Sequence, residues 1–174
     1  MGEEKNNPFP VLKTERLILR QLENHDANEI YALRSNDKVN KYLERKPSKS
    51  INDANVFIQA IHKNFQSNQS FYWAITLNGC DELIGTICLF DFSADNLKAE
   101  IGYELLPDFH GKGIMQEAIA KVIDFGMQDI GLNLIEANTH HENKNSIVLL
   151  NKFNFKNNGA IGSNFLIFTL KIEL

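Results

Sequence analysis

The chain predicts a single α/β domain (α+β in some schemes), a mixed, mostly antiparallel sheet with helices on both faces, on three observations. First, a strand, a glycine loop and a helix run without a gap from Glu100 to Phe125, and a further strand follows at Leu134 to Thr139. Such a crossover makes its two strands parallel. Second, the β-rich runs Phe71 to Leu77 and Leu83 to Phe90 flank Asn78-Gly79, the strongest short-range hairpin signal in the chain. Third, 174 residues with 43% hydrophobic content suffice for one domain with its own core.

The elements follow in order. Residues 1–11 are expected to be an N-terminal extension and residues 12–174 the domain. Leu17 to Leu22 is a first strand, and Asn24 to Ser35 a short helix carrying Ala27, Ile30, Tyr31 and Leu33. Asp37 to Ser50, with its charges, Pro47 and serines, reads as loose chain. Ser50 to Asn64 places Ala54, Phe57, Ile58 and Ile61 on one helical face. After the hairpin, Asp91 to Lys98 is a polar turn into the strand Glu100 to Leu106, which Pro107 ends because it brings no N–H to a ladder. From about Gly113, Ile114, Ala118, Ile119, Val122 and Ile123 recur at helical spacing. The strand Leu134 to Thr139, the helix Lys144 to Lys152 and a last strand from Asn164 to Ile172 complete the domain.

Charge and composition exclude several classes. A formal net charge of −4 and a pI near 5.7 do not favour nucleic acid, although they tolerate a cationic partner. The opening MGEEKNNPFP lacks the apolar stretch of a secretion signal, and Asn6 stands where a myristoylation signal needs Ser or Thr. The apolar run Leu83 to Phe90 is far shorter than the ~18 residues of a membrane span, so no membrane association is expected. Cys80 and Cys88 stand over about 20 Å apart if they lie in the turn and along the next strand, too far to bridge. Two reduced cysteines without a CxxC spacing fit the cytoplasm. His140 and His141 would point to opposite faces of a strand, and no HExxH spacing exists, so no metal is expected.

Chemistry is legible at one place. Gly111 and Gly113 open a helix, so the backbone N–H groups from Gly111 through Met115 stand uncovered above the positive end of the helix dipole. That arrangement suits a phosphate or pyrophosphate, to which Lys112 can add a charge. Neither common nucleotide motif fits: the dinucleotide pattern wants glycine where Gln116 stands, and the P-loop wants Ser or Thr after the lysine where Gly113 stands.

Four passages resemble the GNAT (Gcn5-related) N-acetyltransferases, and within them the branch of the ribosomal-protein N-terminal acetyltransferases. They are Leu12 to Leu22, the strand pair Phe71 to Leu77 with Leu83 to Phe90, Ala99 to Ala118, and Ile135 to Phe155, in family order. The resemblance implies acetyl-CoA as cosubstrate, with its pantetheine arm between two splayed central strands. The family's Gln/Arg-x-x-Gly-x-Gly/Ala motif falls on His110, Gly111, Lys112, Gly113, Ile114 and Met115. His110 replaces the usual Gln or Arg and Met115 the small last residue. Main-chain groups of Leu105 and Leu106 are implied to hold the pantetheine and polarise the thioester carbonyl, an oxyanion hole in function. Asn143 and Ser146 match the branch's Asn-x-x-Ser beside the cofactor. Many relatives carry a tyrosine farther along as proton donor to the thiolate, where this chain has Phe153 and Phe155, so Ser146 is the candidate acid. A serine opening a helix is also an ordinary cap.

The acceptor amine must lose a proton before it attacks, and Glu100 and Glu104 share a face of the central strand; Glu100 leads as candidate base, and Tyr103 is expected to pack or shape the cleft. The expected acceptor is a primary amine, a peptide or protein N-terminus ahead of a small amine. It would approach through the Asn36 to Ser50 and Asn157 to Asn164 regions. The expected assembly is a monomer or homodimer. The alternative is a fold of the same family that binds acyl-CoA without turnover, as a sensor or interaction module.

Overall fold

The computed structural model describes residues 8–171, so the expectations for the first seven residues and for the end of the last strand at Ile172 fall outside it. One eight-stranded sheet organises the molecule. Its strands are β1 (Leu12–Lys13), β2 (Leu17–Gln21), β3 (Ser70–Leu77), β4 (Leu83–Phe90), β5 (Lys98–Leu105), β6 (Leu134–His140), β7 (Lys156–Ile161) and β8 (Phe165–Lys171). They lie in the order β1-β2-β3-β4-β5-β6-β8-β7. Every neighbouring pair is antiparallel except β5 with β6.

The helices are α1 (Ala27–Ser35), the single turn α2 (Asp37–Asn40), α3 (Ile51–Gln66), α4 (Ile114–Phe125) and α5 (Lys144–Lys152). Ser50 begins α3 as its cap rather than its first residue: its Oγ accepts from the Asp53 N–H while the Asp53 carboxylate accepts from the Ser50 N–H. The apolar face read from the sequence buries Ala54, Ile58 and Ile61, together with Ile30 of α1 and Ala74 of β3, on one side of the sheet. On the other side Ala118, Ile119 and Val122 of α4 pack against Trp73, Ile87, Ile101 and Ile135. Phe9 and Pro10 already belong to the packed body, since the Trp73 indole N–H donates to the Pro10 carbonyl at 2.8 Å and the Phe9 ring lies 5.9 Å from that of Trp73.

Three elements differ from expectation. Leu12–Lys13 adds a two-residue edge strand, and the loose segment after α1 holds the turn α2, capped by the Asn36 side chain. Residues from Lys156, where no element is expected before Asn164, form β7 as an outer edge; every residue of it is exposed, so it carries no apolar alternation to betray a strand.

The feature that shapes the site is an interrupted ladder. β5 pairs with β4 up to Leu105, and β6 pairs with β8 up to His140, yet β5 and β6 pair with each other only at Lys98, Ala99 and Glu100 against Leu134, Ile135 and Glu136. Beyond that point the two strands diverge, the splay that the family resemblance implies. A gap thus opens in the middle of the sheet.

Candidate active site

At the far end of β5 the chain turns through Pro107–Phe109 into the glycine loop. Gly111 and Gly113 both take a left-handed φ of 73°, a conformation that costs an L side chain roughly 1–2 kcal/mol. The loop therefore curls tightly onto α4 with Gly113 as its cap residue. Among the described hydrogen bonds, none uses a backbone N–H from Gly111 through Gln116 as donor, as expected where a first helical turn has no preceding carbonyls. Ile114 and Met115 turn their side chains into the core, so the long Met115 leaves its N–H uncovered. His110 bends back to the strand, its Nε2 donating to the Leu105 carbonyl at 2.8 Å. The Lys112 ammonium lies 5.4 Å from the Phe109 ring centre.

The two main-chain positions expected to serve the thioester are not equivalent. The Leu106 N–H already donates to the Ile84 carbonyl at 2.9 Å, so it is not free for a ligand. Alternation along an antiparallel ladder then turns the Leu105 N–H away from β4, toward the side from which β6 has diverged.

Arg16, within the Leu12 to Leu22 passage, reaches the loop although no motif marks it. Its Nη1 donates to the Lys112 carbonyl at 3.0 Å and its Nε to Glu117 Oε2 at 2.6 Å, and its backbone N–H donates to Glu117 Oε1 at 2.9 Å. Thr14 Oγ1 donates to the same carboxylate. The turn between β1 and β2 thereby braces the first turn of α4 and the loop before it.

On the α1 and α3 side of the sheet, the gap opens into a cavity of about 310 Å³. It brings together Glu100, Glu104, Asn143 and Ser146; the glycine loop is not part of its wall. The walls also carry Tyr42 and Leu43 from the segment after α2, Phe57 of α3, Tyr72 of β3, and Phe165 of β8. Thus the Asn36 to Ser50 region does reach the cavity, whereas Asn157 to Asn164, mostly β7 and its turn, does not line it.

Glu100 is half-buried, and burial first of all raises its carboxyl above the usual range; a hydrogen bond from Asn138 opposes this, and the charges of Asp91 and Glu136 add to it. Glu104 is differently placed. Both its oxygens are held by the Arg45 guanidinium, with Nη2 at 2.9 Å from Oε2, and the two side chains are only 18% and 14% exposed. Glu104 is engaged at both oxygens by an arginine and Glu100 is not, so the geometry separates the two candidates.

Asn143 caps α5, its Oδ1 accepting from the Ser146 N–H at 3.2 Å, so the backbone of Ser146 has the ordinary first-turn role. Its hydroxyl is engaged elsewhere, 2.9 Å from the hydroxyl of Tyr103 across the gap. Burial pushes the Tyr103 phenol up to about 12, against the lowering effect of that hydrogen bond. Tyr103 shapes the cavity and also touches the candidate acid.

The expectation for the histidines is corrected: β6 ends at His140, so His141 lies in a turn rather than on the opposite face, and the two rings stack with centroids 4.7 Å apart. Among the described residues no group of three His, Cys, Asp or Glu side chains could hold a metal ion. Cys80 is exposed and Cys88 buried, both as free thiols. No helix of the described residues is long and apolar enough to cross a membrane.

The sequence model of the acetyltransferase (GNAT) domain matches residues 16–156. The chain belongs to the GNAT acetyltransferase family. A relative within it is the uncharacterized N-acetyltransferase YoaA of Bacillus subtilis (strain 168), 37% identical over 153 residues that cover 88% of this chain and 86% of YoaA. Among solved GNAT structures, the ribosomal L7/L12 alpha-N-protein acetyltransferase RimL in complex with coenzyme A superposes with a TM-score of 0.83 at 16% identity, covering 94% of this chain and 98% of RimL. The microcin C7 self-immunity acetyltransferase MccE, in complex with acetyl-CoA and AMP, does so with 0.79 at 23% identity, over 91% and 94% of the two chains. At these identities the structural likeness speaks for the GNAT fold alone.

Proposed function

We propose that this GNAT N-acetyltransferase moves the acetyl group of acetyl-CoA directly onto a primary amine held in the cavity beside Glu100. The observation that carries the reading is the interrupted β5–β6 ladder, open at one end to a double-glycine anion loop and at the other to a cavity with a carboxyl of raised proton affinity. The loop fits the pyrophosphate: backbone donors from Gly111 to Met115 face an uncovered space, where a Cβ on Gly111 would meet nothing within 4 Å. The gap fits an extended pantetheine arm, because the unpaired edges of two strands offer main-chain groups as a third strand would. When bound, acetyl-CoA supplies an activated acyl thioester.

The side chains divide the remaining work. Glu100 takes the proton from the ammonium nitrogen of the acceptor, directly or through one water, and its raised proton affinity brings it nearer to that task. The Leu105 N–H polarises the carbonyl oxygen. As the new C–N bond forms and the C–S bond breaks, the nitrogen sheds its second proton to water, Ser146 Oγ delivers a proton to the departing sulfur and regains one from water, and Tyr103 orients that hydroxyl. Asn143 fixes the backbone that carries Ser146. Tyr42, Leu43 and Phe165 give the cavity part of its apolar lining.

As acceptor we rank a peptide or protein N-terminus ahead of a small amine. Incubating the protein with acetyl-CoA and a panel of peptides and amines, while thiol release is followed, tests the whole reading. Acceptor-dependent release is the expected result. CoA binding without release for any acceptor would make the chain a binding module instead.

A further inference from the structure

The far end of the acceptor cavity holds a second arginine that the mechanism leaves unused. Arg34, in the last turn of α1, is fixed at its backbone: its carbonyl accepts from Asn40 Nδ2 at 2.9 Å and from the Ser48 N–H at 3.1 Å. Its guanidinium carbon lies 3.9 Å from the centre of the Phe57 ring, which holds the planar group against the wall. Among the described residues it has neither a carboxylate within salt-bridge distance nor an acceptor for its side-chain N–H groups, although a guanidinium carries five such donors.

Charge at this end is therefore unbalanced. Arg45 and Glu104 neutralise one another, and Arg34 remains as a half-buried positive charge facing the cavity. Burial, and then the like charge of Arg45, lower its proton affinity, and the opposing pull of Tyr72 and Glu104 does not make this up. The overall acidity of the chain tolerates a cationic acceptor, yet here two arginines, Arg34 and Arg45, share one carboxylate, Glu104.

We infer that the acceptor carries an anionic group, a carboxylate or a phosphate, that seats on Arg34 while its amine lies beside Glu100. Both anions match the planar fork of a guanidinium. Arg34, Glu100 and Glu104 line the same cavity of about 310 Å³, so one small acceptor can present its amine to Glu100 and an anion to Arg34. A short peptide with an acidic residue near its N-terminus, or a small aminoalkyl phosphate, carries both groups. A polyamine carries no anion.

This inference rests on the proposed acetyl transfer in the same cavity, so its test reads binding as well as turnover. One arm compares kcat/KM for tripeptides with aspartate or asparagine at the second position, for phosphoethanolamine against ethanolamine, and for spermidine. The other arm measures, by calorimetry on the CoA-loaded protein, binding of the N-acetylated aspartate and asparagine tripeptides and of N-acetylphosphoethanolamine against N-acetylethanolamine. The acidic member of at least one pair should be favoured roughly ten- to hundred-fold, in binding and in kcat/KM, and the pair that discriminates identifies carboxylate or phosphate. Arg34→Gln should reduce that preference to about two-fold, chiefly through KM, and Arg34→Lys should retain part of it. The CoA-dependent rise in melting temperature should persist in both variants. Neutral acceptors or spermidine performing as well as acidic ones in the wild type would overturn the inference, as would an unchanged preference in Arg34→Gln. If no acceptor is turned over, acetyl transfer fails as a reading, and the calorimetric preference or its absence still decides the anion site.

Discussion

Glu100 sets the sharpest expectations at the scale of single residues. A base whose pKa lies above the usual carboxylate range should place the acid limb of kcat/KM above that range too, because activity needs its ionised form. Glu100→Gln should lower kcat/KM by about 10²–10⁴, with recovery toward high pH where the amine deprotonates unaided. The same shift fixes the sign for stability. A carboxyl with a raised folded pKa stabilises the fold fully below its unfolded value, and that contribution is lost as pH rises through the folded value. Glu100→Gln should therefore melt above the wild type at neutral pH, the gap closing in acid, as thermal scans across pH would measure. Ser146→Ala should reduce kcat more than it alters the KM for acetyl-CoA, and Tyr103→Phe should reproduce a smaller part of the same loss; unchanged turnover with weakened folding would leave Ser146 as a helix cap alone. That Glu100, Asn143 and Ser146 meet at one cavity was legible because they sit in or beside regular elements whose order the sequence reveals. Arg34 and Arg45 were not. Their surroundings come from residues distant in sequence, Glu104 for Arg45 and the Phe57 ring for Arg34, and no local spacing encodes that.

Between residues and the whole lie the elements that hold them. In the loop, Gly113→Val would force a β-branched residue to a φ of 73° and place its Cβ 3.4 Å from Arg16 Nη2. CoA binding should be lost while the fold survives at a cost of roughly 1–2 kcal/mol, a combination that calorimetry and a melting curve can separate. Lys112→Ala should weaken CoA binding only modestly, since the loop donates through its backbone. Beneath α1, the buried Asp26 carboxylate, 1% exposed, takes two 2.8 Å bonds from the Arg20 guanidinium. Arg20→Ala would strand that charge and should destabilise by about 3–5 kcal/mol in denaturant titrations without touching the cavity directly. Most elements could be read from periodicity and turn chemistry: the Asn78-Gly79 hairpin, the α3 and α4 faces, and the glycine loop all appear where their residues place them. β7 could not, because Lys156, Asn157, Asn158 and Gly159 carry no β preference and the strand exists only by pairing with β8. The turn α2 depends on a single Asn36 cap and is equally silent at the level of pattern.

For the molecule as a whole, CoA at 100 times its dissociation constant should add about 2.7 kcal/mol, which at this size corresponds to a rise of roughly 5–10 °C in melting temperature. The sheet offers a finer reading of the same event. Most proteins keep raw strand edges at the rim and blunt them there with charge or brevity, as the two-residue β1 and the polar β7 do here. This one carries two more edges at its centre, along Ile101 to Leu105 and Ala137 to His140. The alternate amides of these stretches that face the gap, the others being bonded to β4 or β8, should exchange with deuterium quickly in the free protein and slow sharply once the cosubstrate is added. Until then the middle of the sheet is an open template for any extended chain, so a starved enzyme should be the more prone of the two states to self-association through strand pairing, and its own cosubstrate would double as its guard against aggregation.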